Sequence, residues 1–92
     1  MVSPGVELKK ASVAIEKGRI REVTTSAVPR KGFDTVVDVR GKYLVPGFID
    51  VHTHGACGFD VCDATPEAIG KIAEAKLAEG CTSFLPTTLT VA

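Results

Sequence analysis

His52 and His54 are the only two histidines of the chain, and they stand two residues apart in Phe48-Ile49-Asp50-Val51-His52-Thr53-His54-Gly55. Side chains alternate faces along a strand, so residues i and i+2 share one. A strand through this run turns both imidazoles the same way, and Asp50 with them if the strand is regular. Same-face neighbours lie ~6–7 Å apart at the backbone. A zinc–nitrogen bond spans ~2 Å, so both rings can reach one divalent metal ion. Two ligands do not complete a catalytic site, because a third protein ligand is needed. The same pair also fits a surface or core position with no metal at all. A place at the end of a strand, just before a loop, is where barrel enzymes carry catalytic groups.

The neighbouring residues offer rival chemistry. Cys57 and Cys62 could join the two histidines in a closed zinc site. Their Cys-x4-Cys spacing departs from the commoner finger pattern, and a free cysteine is ordinarily a small buried apolar residue. Gly55 and Gly58 flank the loop after the histidines, where glycine either lets a ligand approach the backbone or permits a tight turn. Asp60 and Asp63 precede a helix start and suit caps or solvated carboxylates better than ligands. Thr87 and Thr88 could line a pocket at a strand end, or simply express β-propensity.

These residues need elements to position them. Ala11–Glu16 and Arg19–Thr24 read as a hairpin turned by Lys17-Gly18. Ser26–Gly32, with Pro29 and Gly32, reads as a loop. Thr35–Val39 is β-branched and apolar, and Tyr43–Val45 follows the Arg40-Gly41 turn as a second short strand. Pro46-Gly47 breaks the chain before the run Phe48–His52. Gly55–Ala64 has no periodicity and reads as a loop. Thr65 then caps a helix, with Pro66 in the first turn and Glu67 complementing its positive end. Ile69, Ile72, Ala73 and Leu77 supply its buried stripe, and Gly80 its C-terminal stop. Thr82–Leu85 and Thr87–Thr90 read as strand, although Pro86 argues against an ordinary central strand. Strand, helix and strand form one βαβ unit with a parallel pair, which cannot bury both faces of its sheet alone.

Composition narrows the partners. The 92 residues allow one small domain at most, and 45% apolar residues are ordinary for a globular protein. The 11 basic and 11 acidic side chains balance, which gives no support to a nucleic-acid or anionic-membrane partner. No apolar run approaches the ~20 residues needed to cross a bilayer, and none resembles a signal peptide. Three cysteines without a signal peptide suit free thiols in a reducing cytoplasm.

The run Tyr43–Gly55 resembles the signature of the amidohydrolase superfamily, in which Pro-Gly-Phe-Ile-Asp precedes His-x-His. Ala14–Ile20 resembles a strand pair of the small β-sandwich those enzymes carry beside a barrel. Gly58–Thr65 and Glu79–Thr88 are similar to the N-acetylglucosamine-6-phosphate deacetylase family. The resemblance implies an α/β fold: the N-terminal part of a (β/α)8 barrel, with part of its small β-sandwich. Residues 1–45 would belong to the sandwich and 46–92 to the first β-α-β segment of the barrel. His52 and His54 would be the first two metal positions, in a site holding one or two zinc or iron ions. Gly55, Ala56, Cys57, Thr87 and Thr88 would lie near the substrate, an amino-sugar phosphate, in a homodimeric cytoplasmic enzyme.

The resemblance places no catalytic residue within this chain. The family's bridging glutamate, later histidines and catalytic aspartate would follow Ala92, and a whole barrel takes ~250 residues. The chain by itself is therefore expected to be an inactive N-terminal piece. Two other readings stay open. One is an amidohydrolase acting on a cyclic amide, as dihydroorotases and hydantoinases do. The other is a short non-catalytic module that covers its apolar faces by oligomerising.

Overall fold

In the computed structural model, which describes residues 1–90, the chain is a small mixed α/β protein with one α-helix and four two-stranded sheets. It divides into two units, Met1–Pro46 and Gly47–Ala92.

In the first unit, β1 (Val2–Ser3) pairs antiparallel with β2 (Val6–Glu7). The Met1 ammonium and carbonyl bind the Leu8 carbonyl and amide at 2.7 and 2.8 Å and close this short ribbon. The predicted hairpin is present as β3 (Ser12–Glu16) and β4 (Arg19–Thr24). Lys17 and Gly18 both have positive φ, the backbone of the two-residue turn that matches strand twist.

The two strands expected at Thr35–Val39 and Tyr43–Val45 do not form. β-Branched and aromatic residues favour a pleated, half-buried surface rather than a strand as such, and no strand among the described residues pairs with either segment. Tyr43 accordingly stays 86% exposed. Local bonds shape this stretch instead. Lys42 N–H donates to the Val39 carbonyl at 3.0 Å, and Val2 N–H to the Leu44 carbonyl at 2.8 Å. The Arg40 guanidinium fork and backbone N–H both bind the Asp38 carboxylate and hold its pKa down at about 2.

The second unit is a βαβ arrangement. β5 (Phe48–Thr53) runs parallel to β8 (Cys81–Pro86), and α1 (Pro66–Ala78) lies between them in sequence. The predicted start and stop signals of the helix operate. Thr65 Oγ1 accepts from Ala68 N–H at 3.1 Å, Pro66 opens the first turn, and Gly80 at φ +90° ends the helix. The buried face is rotated from the expected one. It runs Ala68, Ile72, Lys76 at i, i+4, i+8, with Ala68 and Ile72 fully buried. Ile69 and Ala73 are half-buried and Leu77 is 65% exposed. A two-stranded sheet is too narrow to cover the whole apolar stripe that a helix usually buries.

The predicted loop Gly55–Ala64 holds a miniature hairpin, β6 (Gly55–Ala56) and β7 (Phe59–Asp60), and a 3-10 turn at Val61–Asp63. Strands of two residues are too short to show a period, which is why the sequence reads as loop there. Pro86 is the last residue of β8, facing Thr53, an end position where its missing N–H is tolerated. The strand expected over Thr87–Thr90 is absent, because β5 ends at Thr53 and leaves no edge to pair with. Gly47 packs directly on the Thr82 side chain, where any Cβ would overlap it.

Ile72 is the largest fully buried side chain among the described residues. Ile72→Ala is expected to lower unfolding free energy by ~2–5 kcal/mol, read from the midpoint of a urea transition. A change under ~1 kcal/mol would mean that the α1 contact is not what holds this unit.

Candidate metal centre

The register of the parallel pair decides where the histidines point. Asp50 faces Phe84 and Thr53 faces Pro86, so three steps along β5 match two along β8. One extra residue in one strand is a β-bulge, which re-aims the side chains around it. The strand is thus not regular, the condition on which Asp50 would share a face with the histidines, and Asp50 lies on the other face. Its Oδ2 lies 3.2 Å from Lys76 Nζ on α1, and its Oδ1 accepts the His52 backbone N–H at 3.0 Å. The His52 N–H and then Lys76 hold the Asp50 carboxyl below its ordinary range. Lys76 is raised in turn, by Glu79 first and Asp50 second.

His52 is exposed and His54 half-buried. Their rings meet edge to face with centroids 4.8 Å apart, and their Nε2 atoms are 3.0 Å apart. His54 Nδ1 lies 2.9 Å from the Thr87 carbonyl oxygen. A carbonyl oxygen only accepts, so Nδ1 carries a proton, and in the neutral ring Nε2 keeps its lone pair. An imidazole fixed through its far nitrogen is the usual preparation of a metal ligand. Two nitrogens 3.0 Å apart can both stand ~2.0–2.1 Å from one cation, so the pair fits a divalent metal. Among the described residues, no group of three or more His, Cys, Asp or Glu side chains is gathered to hold an ion.

The remaining expected site residues fall around this pair with different roles. Gly55 follows His54 in β6, and a Cβ there would overlap the Phe59 carbonyl oxygen. Ala56 is half-buried beside it. Cys57 is exposed at the hairpin tip, at φ +54°. Thr87 acts through its backbone: its carbonyl binds His54 and its N–H donates to the Thr53 carbonyl at 2.8 Å. Its hydroxyl donates to the Leu85 carbonyl at 3.1 Å. Thr88 is exposed.

The rival site of His52, His54, Cys57 and Cys62 is not assembled. The Cys62 thiol instead accepts from Leu89 N–H at 3.4 Å and faces the Leu89 carbonyl at 3.8 Å. Asp60 and Asp63 are caps. Asp60 accepts from Cys62 N–H at 2.7 Å, and Asp63 accepts from Asp60 N–H at 2.8 Å. The Cys62 backbone N–H is the main cause that holds the Asp60 carboxyl below its usual range, with a smaller pull from His54. Lys76 escaped the sequence reading. The signal was available, since a lysine four and eight residues from Ile72 and Ala68 stands on the buried line of the helix.

No family model matches the chain, and no solved structure matches it. Curated proteins do. It is 43% identical over 53 residues to a 5-methylthioadenosine/S-adenosylhomocysteine deaminase of Thermococcus onnurineus, covering 58% of this chain and 12% of that protein. Its relatives are hydrolytic deacetylases and deaminases, which bears out the resemblance to amidohydrolases. The narrower resemblance holds as well. The chain is similar to an N-acetylglucosamine-6-phosphate deacetylase of Lysinibacillus sphaericus, 35% identical over 82 residues, covering 89% of this chain and 21% of that protein. It is also 43% identical over 56 residues to an N-acetylgalactosamine-6-phosphate deacetylase of Escherichia coli O157:H7, covering 61% of this chain and 15% of that protein. The chain thus spans about a fifth or less of the length of these relatives. No helix among the described residues is long and apolar enough to cross a membrane.

The Thr87 contact fixes one tautomer of His54. In ring-nitrogen NMR of the neutral, metal-free chain, His54 is expected as the Nδ1–H form. A dominant Nε2–H form would show that the Thr87 carbonyl does not orient the ring.

Proposed function

We propose that this chain carries the first metal-binding strand of an amidohydrolase that converts N-acetylglucosamine 6-phosphate to glucosamine 6-phosphate and acetate. The observation that carries the reading is the convergence of His52 Nε2 and His54 Nε2 at the end of a parallel strand, with His54 already oriented from behind. The similarity to the Lysinibacillus sphaericus deacetylase supports the choice of substrate. β5, α1 and β8 would be the first strand, first helix and second strand of a (β/α)8 barrel. Residues 1–45 would be part of its small β-sandwich, in a homodimeric cytoplasmic enzyme.

His52 and His54 would hold zinc or iron, one or two ions, through Nε2. A metal bound there supplies polarisation of the acetamide carbonyl and a bound water of lowered pKa. The Thr87 carbonyl keeps the His54 lone pair directed at the site. Gly55 lets β7 approach β6 closely, right after His54 in the chain. Gly55, Ala56, Cys57, Thr87 and Thr88 border the position of the amino-sugar phosphate. Two imidazoles are an incomplete ligand set, so the 92-residue chain alone should bind metal without turnover.

A second reading is favoured by the match to the Thermococcus onnurineus deaminase: hydrolytic deamination of a nucleoside at the same metal pair. One panel separates the two. The zinc- or iron-loaded protein that contains this segment is assayed for acetate release from N-acetylglucosamine 6-phosphate and N-acetylgalactosamine 6-phosphate. Ammonia release from 5-methylthioadenosine is followed alongside. Acetate from the glucosamine substrate, cut at least ~100-fold by His52→Ala or His54→Ala, is the expected result. Ammonia release alone would select deamination, and turnover indifferent to both substitutions would end the metal reading.

A further inference from the structure

We propose that Asp50 and Lys76 form a positioning pair that fixes the bulge of β5 and so aims the imidazoles of His52 and His54 at one point. In a regular strand His52 would follow Asp50 towards α1. The extra residue between Asp50 and Thr53 breaks that alternation and leaves His52 exposed, beside His54. A bulged stretch loses ladder partners: His52 has no register partner in β8, and its N–H donates to Asp50 Oδ1.

The second carboxylate oxygen is held by Lys76, whose side chain is 14% exposed against 24% for Asp50. A lysine on the line of Ala68 and Ile72 occupies a place where an apolar residue would pack without desolvating a charge. A half-buried ion pair is weak grounds for stability, and its best-attested use is to specify one arrangement over another. Here the arrangement specified is the bulge. A carboxylate serves both partners at once, since one oxygen takes the amide and the other the ammonium. Lys76 is itself steadied by Glu79 Oε2 at 3.0 Å.

The positioning role stands on this geometry. Only its purpose, holding a metal, rests on the function proposed above. The test uses the 92-residue chain and three variants. Asp50→Ala removes both contacts, Asp50→Asn keeps an oxygen for the His52 N–H, and Lys76→Met keeps the apolar stem without the charge. Two readouts are taken: hydrogen exchange of the His52 amide without metal, and zinc affinity by competition with a chelating dye.

Asp50→Ala is expected to speed His52 exchange at least ~10-fold beyond the other β5 amides and to weaken zinc binding ~10–100-fold, the range seen for outer-shell partners. Asp50→Asn should restore most of both, with Lys76→Met between them. If Asp50→Ala does not fold, the other two variants decide, because a positioning role still requires Lys76→Met to loosen His52 more than its neighbours. Exchange that rises uniformly along β5, or zinc affinity within twofold of the parent chain across all variants, would overturn the proposal. Selective loosening of His52 in a chain that binds no zinc would uphold the positioning pair and overturn the metal reading.

Discussion

Everything at the histidine pair depends on a mismatch of one residue between two parallel strands. Three steps of β5 lie against two of β8 between the Asp50–Phe84 and Thr53–Pro86 partners. Parallel strands hold side chains on alternate faces with little freedom, so a single inserted residue is the cheapest means of reversing a face. Upstream of the insertion, Asp50 belongs to the helix layer. Downstream, His52 and His54 meet away from it. The compensating shift lies one residue earlier, where Phe48 and Ile49 span Cys81 to Ser83. Thr82 is skipped there, and its side chain covers Gly47. The two irregularities together let a six-residue strand keep its partner while turning its end.

The packing around this strand is one-sided. α1 packs on β8 and on the β6–β7 hairpin and buries Ala68 and Ile72, while Ile49, Val51 and Leu85 remain exposed. Parallel strands occur almost only where both faces are covered. The stability of this unit therefore rests on a few contacts, Ile72 foremost, and on backbone bonds at the ends: Phe48 N–H to the Gly80 carbonyl at 3.0 Å and Thr87 N–H to the Thr53 carbonyl at 2.8 Å. The histidine pair sits at the second of these ends, held by hydrogen bonds more than by a core.

What the sequence made legible follows from how local each signal is. The Lys17-Gly18 turn, the Thr65 cap, Pro66 and Gly80 act over two to four residues, and each does in the structure what its chemistry dictates. The spacing of His52 and His54 carried their proximity, because any extended backbone brings residues i and i+2 to one side. The face they share was not legible, since a bulge is a property of two strands and depends on how β8 registers against β5. Thr35–Val39, Tyr43–Val45 and Thr87–Thr90 failed as strands for a related reason: propensity describes a segment, whereas a strand needs a neighbour. Lys76 was hidden by its type. Lysine is read as solvated, and only its place on the Ala68–Ile72 line told otherwise.

The contact that orients His54 is made by a main-chain oxygen. A side-chain acceptor at that place would be lost to one nucleotide change, but every residue type brings a carbonyl. The side chain at position 87 is thereby released from the duty of setting the ring, and substitutions there can adjust whatever lies in front of the histidines while the carbonyl still orients His54. The tautomer is inherited with the path of the chain, and would be lost by moving that path, for instance at Pro86 or at the Cys62–Leu89 tether, sooner than by altering Thr87.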